Sequence, residues 1–322
     1  MKTSVKHFAS FLLAHDDYLI YTHGQADADT IGSALALRYA LASLGKRAVV
    51  CNPGVIPEKL YFLLDKDNTV IEGLPQGGFT HISVDIASPA MLAGFDKEYI
   101  DSLVFDYSVD HHAVNTVKAK HLLCRPEYPA AAELIAQTVR ALGVELDKKL
   151  ALWLYAGVSS DSGCFRYSST RPSTLRLAAK LIKTGIDFAK INRLLFENKT
   201  PGAILLEKDA YENLELFYDG KVAVVCLSEK ALKNECVADS DADGVNQIPR
   251  QIRGVEVSVV IRRRGDEIKV ALRSNDYYDV AALAQKFGGG GHVHAAGCRF
   301  YTDESDAKAK ILKALEGDFD VR

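Results

Sequence analysis

Apolar residues in the first half of the chain gather in short unbroken runs. YLIYT (18–22), RAVVCN (47–52), THISVDIAS (80–88) and the DSLVFDYSVDHH stretch (101–112) read as strands. Between them the apolar spacing turns helical, most clearly in TIGSALALRYALASLG (30–45), which stops at Gly45. A shorter helix is predicted at PEKLYFLLD, opened by Pro57. Strands that are apolar throughout suit a parallel sheet covered on both faces. Repeated strand–helix alternation predicts a doubly wound α/β domain.

From Ala130 the period is helical: AAAELIAQTVRALG, DKKLALWLYAGVSS and RPSTLRLAAKLIKTG. A helix-rich stretch to about Phe217 then leads into a second pattern. KVAVVCL reads as a strand, and VEVSVVIRRRGDEIKVALRS as a hairpin turning at Gly265–Asp266. YDVAALAQKF is a helix, GGGGH a loop, AAGCRFY a strand, and the terminus a helix. The expected division is residues 1–187 for the first domain, 188–217 for a helical linker, and 218–322 for a smaller α/β domain across a cleft.

Composition narrows the partners. The 322 residues are 48% hydrophobic and 25% charged, with a net charge of −3. Binding to long nucleic acid leans on phosphate neutralisation, so this balance argues against a long duplex partner. It leaves small phosphorylated ligands open. Six scattered cysteines without a C-x-x-C pair suit a reducing cytosol. The start, MKTSVKHFASFLLAHDD, fits an amphipathic helix better than a signal peptide, and no apolar run is long enough for a membrane span.

Ligands of open α/β sheets sit at the carboxyl ends of strands. There the chain delivers His23, Asp27 and Asp29 after the first strand, Asp85 after THISV, and Asp110, His111 and His112 after LVFDYSV. Asp161 follows the helix ALWLYAGVSS. Taken singly these are ordinary: Asp29 or Thr30 would serve as a helix cap, and a lone loop histidine is commonplace. Together they would place about four negative charges in one crevice, which like-charge repulsion forbids without cations. Two divalent ions would neutralise it. Oxygen and imidazole ligands suit Mn²⁺ and related ions, and the lack of cysteine disfavours structural zinc. Such a pair is the usual arrangement for phosphoester hydrolysis.

In the second domain, four glycines precede His292 and His294. One glycine would suffice to end a helix, so Gly289, Gly290 and Gly291 suggest a backbone approaching an anion closely. Arg262 and Arg264 share one strand face, and Arg273–Ser274 end the return strand. Arg273 could fork onto a phosphate, while Arg263 and Arg264 read as a solvated face. Tyr277 and Tyr278 could stack on a base or simply pack.

These motifs resemble the DHH phosphoesterase superfamily, in the branch with a DHHA1 domain, and most of all its nanoRNases. HGQADADTIGS, SVD, DHH and SSDSGCF are similar to the four motifs of the first domain, and GGGGHVHAAG to the DHHA1 signature. The resemblance implies one metal on His23, Asp27 and Asp85, and another on Asp29, Asp85, His111 and Asp161. Asp85 would bridge them. His112 would face the scissile phosphate, with Asp110 orienting its neighbours. Arg262, Arg273, Ser274, the glycines, His292 and His294 would bind substrate. Ala26, Ala28 and Thr30 depart from the usual Pro, Gly and Ala. The implied activity is cleavage of short oligoribonucleotides, with dephosphorylation of 3′-phosphoadenosine 5′-phosphate (pAp), by a cytoplasmic homodimer. Cyclic or linear dinucleotide cleavage is the alternative. Pyrophosphatase or exopolyphosphatase-like chemistry fits less well.

Overall fold

The computed structural model describes residues 3–64, 70–71, 73–75 and 77–319, without the side chains of Asp243 and His292. Position 65, inside one expected helix, lies outside the described residues. The chain divides into two compact units, 1–198 and 199–322.

Unit 1 runs α1 (Val5–Ala14), β1 (Tyr18–Tyr21), α2 (Ala28–Ser43), β2 (Ala48–Cys51), β3 (Val70–Ile71), β4 (Thr80–Val84), α3 (Lys97–Ser102), β5 (Phe105–Asp110) and β6 (Ala119–Cys124). Helices α4 (Ala131–Ala141), α5 (Lys148–Asp161), α6 (Pro172–Lys183) and α7 (Phe188–Phe196) follow. The six strands pair in the order β3-β2-β1-β4-β5-β6, all parallel. The order reverses between β1 and β4, where a doubly wound sheet opens its ligand crevice. The unbroken apolar strands have their physical reason here: all four residues of β1 are buried, with one core on each face of the sheet.

In unit 1, two strands were not legible in the sequence. β3 has two residues, and β6, AKHLLC, mixes polar with apolar residues because it is an edge. PEKLYFLLD forms a 3-10 turn over Glu58–Leu63.

Unit 2 runs α8 (Pro201–Glu212), β7 (Leu214–Phe217), β8 (Val222–Cys226), α9 (Glu229–Leu232), β9 (Val257–Arg264), β10 (Glu267–Ser274), α10 (Val280–Gln285), β11 (Gly290–His292), β12 (Ala295–Phe300) and α11 (Glu304–Phe319). Its sheet is mixed, in the order β11-β12-β10-β9-β8-β7, with β8 and β9 parallel. The hairpin turns at Gly265, as the pattern predicts. GGGGH is half strand: residues 290–292 pair with β12 as an edge. The stretch 188–217 is shared, with α7 in unit 1 and α8 and β7 in unit 2.

Candidate metal centre

The side chains expected at the strand ends meet beside β1 and β4. Asp27 is the N-cap of α2: its Oδ1 accepts from the N–H groups of Asp29 (3.0 Å) and Thr30 (2.9 Å). Its Oδ2 stays 3.5 Å from His23 Nε2. Capping and candidate ligation thus use different oxygens of one carboxylate, and the cap is Asp27, not Asp29 or Thr30. The Thr30 hydroxyl donates to the Val84 carbonyl at 3.2 Å, tying the start of α2 to the end of β4. Asp85 follows directly, at φ +60°, a left-handed conformation uncommon for a residue with a side chain.

Asp29 is fully buried. Its two oxygens accept from the N–H groups of Ala131 (2.6 Å) and Ala132 (2.8 Å), and Ser33 Oγ donates to it at 3.1 Å. These amides open α4, whose N-terminus favours negative charge. Sequence reasoning missed this partner. A signal existed: α4 begins after Ala130, which offers no capping side chain, so its first N–H groups need an acceptor from elsewhere.

Two glycines bring Asp29 and Asp161 together. A Cβ on Gly32 would lie 2.5 Å from the Trp153 carbonyl oxygen, and one on Gly157 would lie 2.8 Å from Asp29 Oδ1. Helices α2 and α5 therefore touch backbone to backbone, which sets the last turn of α5, carrying Asp161, beside Asp29.

His111 Nε2 is 3.3 Å from Asp85 Oδ1, 3.4 Å from Asp161 Oδ2 and 3.8 Å from Asp29 Oδ2. His23 Nε2 is 3.5 Å from Asp85 Oδ2. Potential metal-holding groups result: His23 with Asp27 and Asp85; Asp29 with His111 and Asp161; Asp85 with both histidines of the 111–112 pair. His112 Nδ1 is 2.7 Å from Asp110 Oδ1, while Asn115 Nδ2 donates to Asp110 Oδ2 at 2.7 Å and to the Ile86 carbonyl. Asn115 is a further member that the sequence did not single out.

The residues fit divalent cations. Asp85 Oδ1 is buried without a hydrogen-bond donor among the described residues. The donors are carboxylate and imidazole, without sulfur. Protonation tells the same story. Burial, then Asp85 and Asp161, raise the Asp29 carboxyl well above the usual range. Burial and Asp27 push Asp161 up to about 6. Burial opposes the charge on His111, yet Asp161 and Asp85 push it up to about 12. His23 is likewise raised against burial by Asp27 and Asp85. Without metal, protons supply the positive charge this cluster requires.

In unit 2, Arg273 and Ser274 end β10 beside the β11–β12 turn: Arg273 is in register with Ala295, and Ser274 Oγ is 2.9 Å from His294 Nδ1. The side chain of His292 lies outside the described residues. Arg262 is not brought to this place. It pairs with Lys269 further along the hairpin, is buried, and its guanidinium donates to Asp239 Oδ1 at 2.7 Å. The glycines have separate reasons. Gly288 is left-handed at φ +71°, just past α10. Gly289 and Gly291 admit no Cβ because β12 backbone lies within 2.2 and 2.4 Å of where it would be; Gly288 and Gly290 have open space. Tyr278 packs on Phe319 and donates to Asp318, whereas Tyr277 is exposed.

Over residues 17–158 the sequence matches the DHH family, N-terminal domain, and over residues 219–319 the DHHA1 domain. It is 32% identical to the bifunctional oligoribonuclease and PAP phosphatase NrnA of Thermus thermophilus, across 92% of this chain and 88% of that one. The chain belongs to the DHH family. The NrnA of Bacillus subtilis is 26% identical, across 94% of both chains. An exopolyphosphatase-related protein from Bacteroides fragilis shares the fold at a TM-score of 0.86 and 23% identity, covering 97% of this chain and 95% of that one. RecJ of Thermus thermophilus, solved in complex with Mn²⁺, has a TM-score of 0.53 and 16% identity; 98% of this chain covers 54% of RecJ. The tripeptide that names the DHH family is Asp110–His111–His112, at the end of β5. Among the described residues of this DHH chain no helix is long and apolar enough to cross a membrane.

Proposed function

We propose that the chain is a two-metal phosphoesterase that cleaves short oligoribonucleotides to mononucleotides and removes a phosphate from pAp. One observation carries this reading: the two oxygens of buried Asp85 face different clusters, Oδ2 toward His23 and Oδ1 toward His111. A carboxylate so placed is suited to bridge two ions, and its donor set favours Mn²⁺. When bound, the ions would make water a better nucleophile at neutral pH and neutralise phosphoryl charge.

The side chains have distinct tasks. His23 and Asp27 would hold one ion, Asp29, His111 and Asp161 the other. The amides of α4 fix Asp29 in place before any ion arrives. Asp110, steadied by Asn115, engages the Nδ1 side of His112 and would orient its ring, and His112 would face the scissile phosphate. Burial disfavours the charged form of His112, but Asp110 and Asp85 raise its pKa, so it would carry a proton to donate to a phosphate oxygen. Arg273, Ser274 and His294 would bind the phosphate that is not cleaved.

The test is a substrate panel with Mn²⁺: pApA, pGpG, longer RNA, pAp, cyclic di-AMP and pyrophosphate. The expected outcome is fastest turnover of the linear dinucleotides and loss of activity in Asp85→Asn. Wild-type turnover in that variant, or pyrophosphate as the best substrate, overturns the reading.

A further inference from the structure

Away from the metal centre, unit 1 holds a cavity of about 600 Å³ between α4 and α6. That volume lies within the range of small-molecule sites. Its lining is mostly apolar and includes Val139, Leu177 and Tyr128. One end is acidic. Glu133 is buried, at 2% exposure, and the Thr174 hydroxyl donates to its Oε2 at 2.8 Å. No other hydrogen bond or ion pair reaches this carboxylate among the described residues.

The other end is basic. Arg140 lies seven residues beyond Glu133 on α4, and Lys180 six beyond Thr174 on α6, whereas Arg176, two beyond Thr174, lines the cavity between the two ends. Six or seven residues span about 9–10 Å of helix, so Arg140 and Lys180 lie roughly that far from the acid along each helix. All three cations are exposed, and none is in an ion pair among the described residues. A carboxylate with spare acceptor capacity can take donors from a ligand, and cations lining the same cavity can take an anion.

We propose that this cavity binds a guanine nucleoside monophosphate. Guanine presents two adjacent N–H donors on its pairing edge, which one carboxylate can take together. Adenine offers a donor beside an acceptor there, and the acceptor would face Glu133. The apolar walls hold the ring and the sugar. The phosphate, about 10 Å from the base edge, meets Arg140 and Lys180. The site rests on the functional reading only in that such nucleotides are products of that reaction.

Calorimetric titration tests it on the full chain, EDTA-treated and carrying Arg273→Ala to weaken binding at the proposed substrate residues. The probes are GMP, AMP and inorganic phosphate. GMP should bind once per chain, and AMP and phosphate at least about tenfold more weakly. Glu133→Gln should remove the preference for GMP. Arg140→Ala with Lys180→Ala, both exposed positions outside the catalytic machinery, should weaken both nucleotides about tenfold and leave dinucleotide turnover unchanged. Absence of GMP binding, equal binding of AMP, or indifference to the paired substitution overturns the proposal. Binding that passes these tests in a protein inactive on every RNA would sink the proposed function and leave this site standing.

Discussion

Gly32→Ala tests whether helix contact sets the geometry of the candidate metal centre. The added Cβ would meet the Trp153 carbonyl oxygen at 2.5 Å and its carbon at 3.2 Å, both backbone atoms that cannot rotate away. Ordinary contact begins at 3.4 Å, so α2 and α5 must separate by about 0.9 Å. Overpacking of this kind costs about 1–3 kcal/mol. Better helix propensity returns about 1 kcal/mol, so the net loss of stability is at most about 2 kcal/mol and the protein folds. The displacement, however, falls between Asp29 on α2 and Asp161 at the end of α5. A misplacement near 1 Å can cost about 100-fold in rate. The assay is thermal unfolding with and without Mn²⁺, alongside dinucleotide turnover. Gly317→Ala, in open space on α11, is the control and should gain about 0.5–1 kcal/mol. A Gly32→Ala protein with the wild-type Mn²⁺-induced shift and wild-type turnover would refute the reasoning.

Other outcomes follow from the same geometry. Asn115→Ala frees one side of Asp110 and should lower kcat about 10–100-fold with KM little changed, by steady-state kinetics. In the metal-free protein, Asp161 has its pKa raised from 3.8 to about 6, so folding is weakened as pH rises through that window and the loss is complete above it. Asp161→Asn should therefore stabilise the metal-free protein at pH 8, with the gain vanishing below about pH 4 in denaturant titrations, while Mn²⁺ no longer stabilises it as in the wild type. Glu256 accepts from the backbone N–H groups of residues 276, 277 and 278. Glu256→Ala should loosen that loop, raising hydrogen exchange at the three amides and KM more than kcat.

The sequence by itself determined the architecture and offered the candidate donor set. Unbroken apolar strands alternating with helices require a two-faced parallel sheet, and His23, Asp27, Asp85, His111 and Asp161 fall at element ends because the sheet must deliver its polar groups there. The hairpin at Gly265 was legible for the same local reason. What only the tertiary structure decided is which groups share a place. The α4 amides that hold Asp29 lie 102 and 103 residues away in sequence. Arg262 and Arg273 look alike on one hairpin, yet Asp239 engages the first and the second stands beside the β11–β12 turn. Gly289 and Gly291 read as an anion cradle but are dictated by the closeness of β12. Periodicity records what one segment needs from its surroundings; the identity of the neighbour that meets the need depends on long-range packing, which no local pattern encodes.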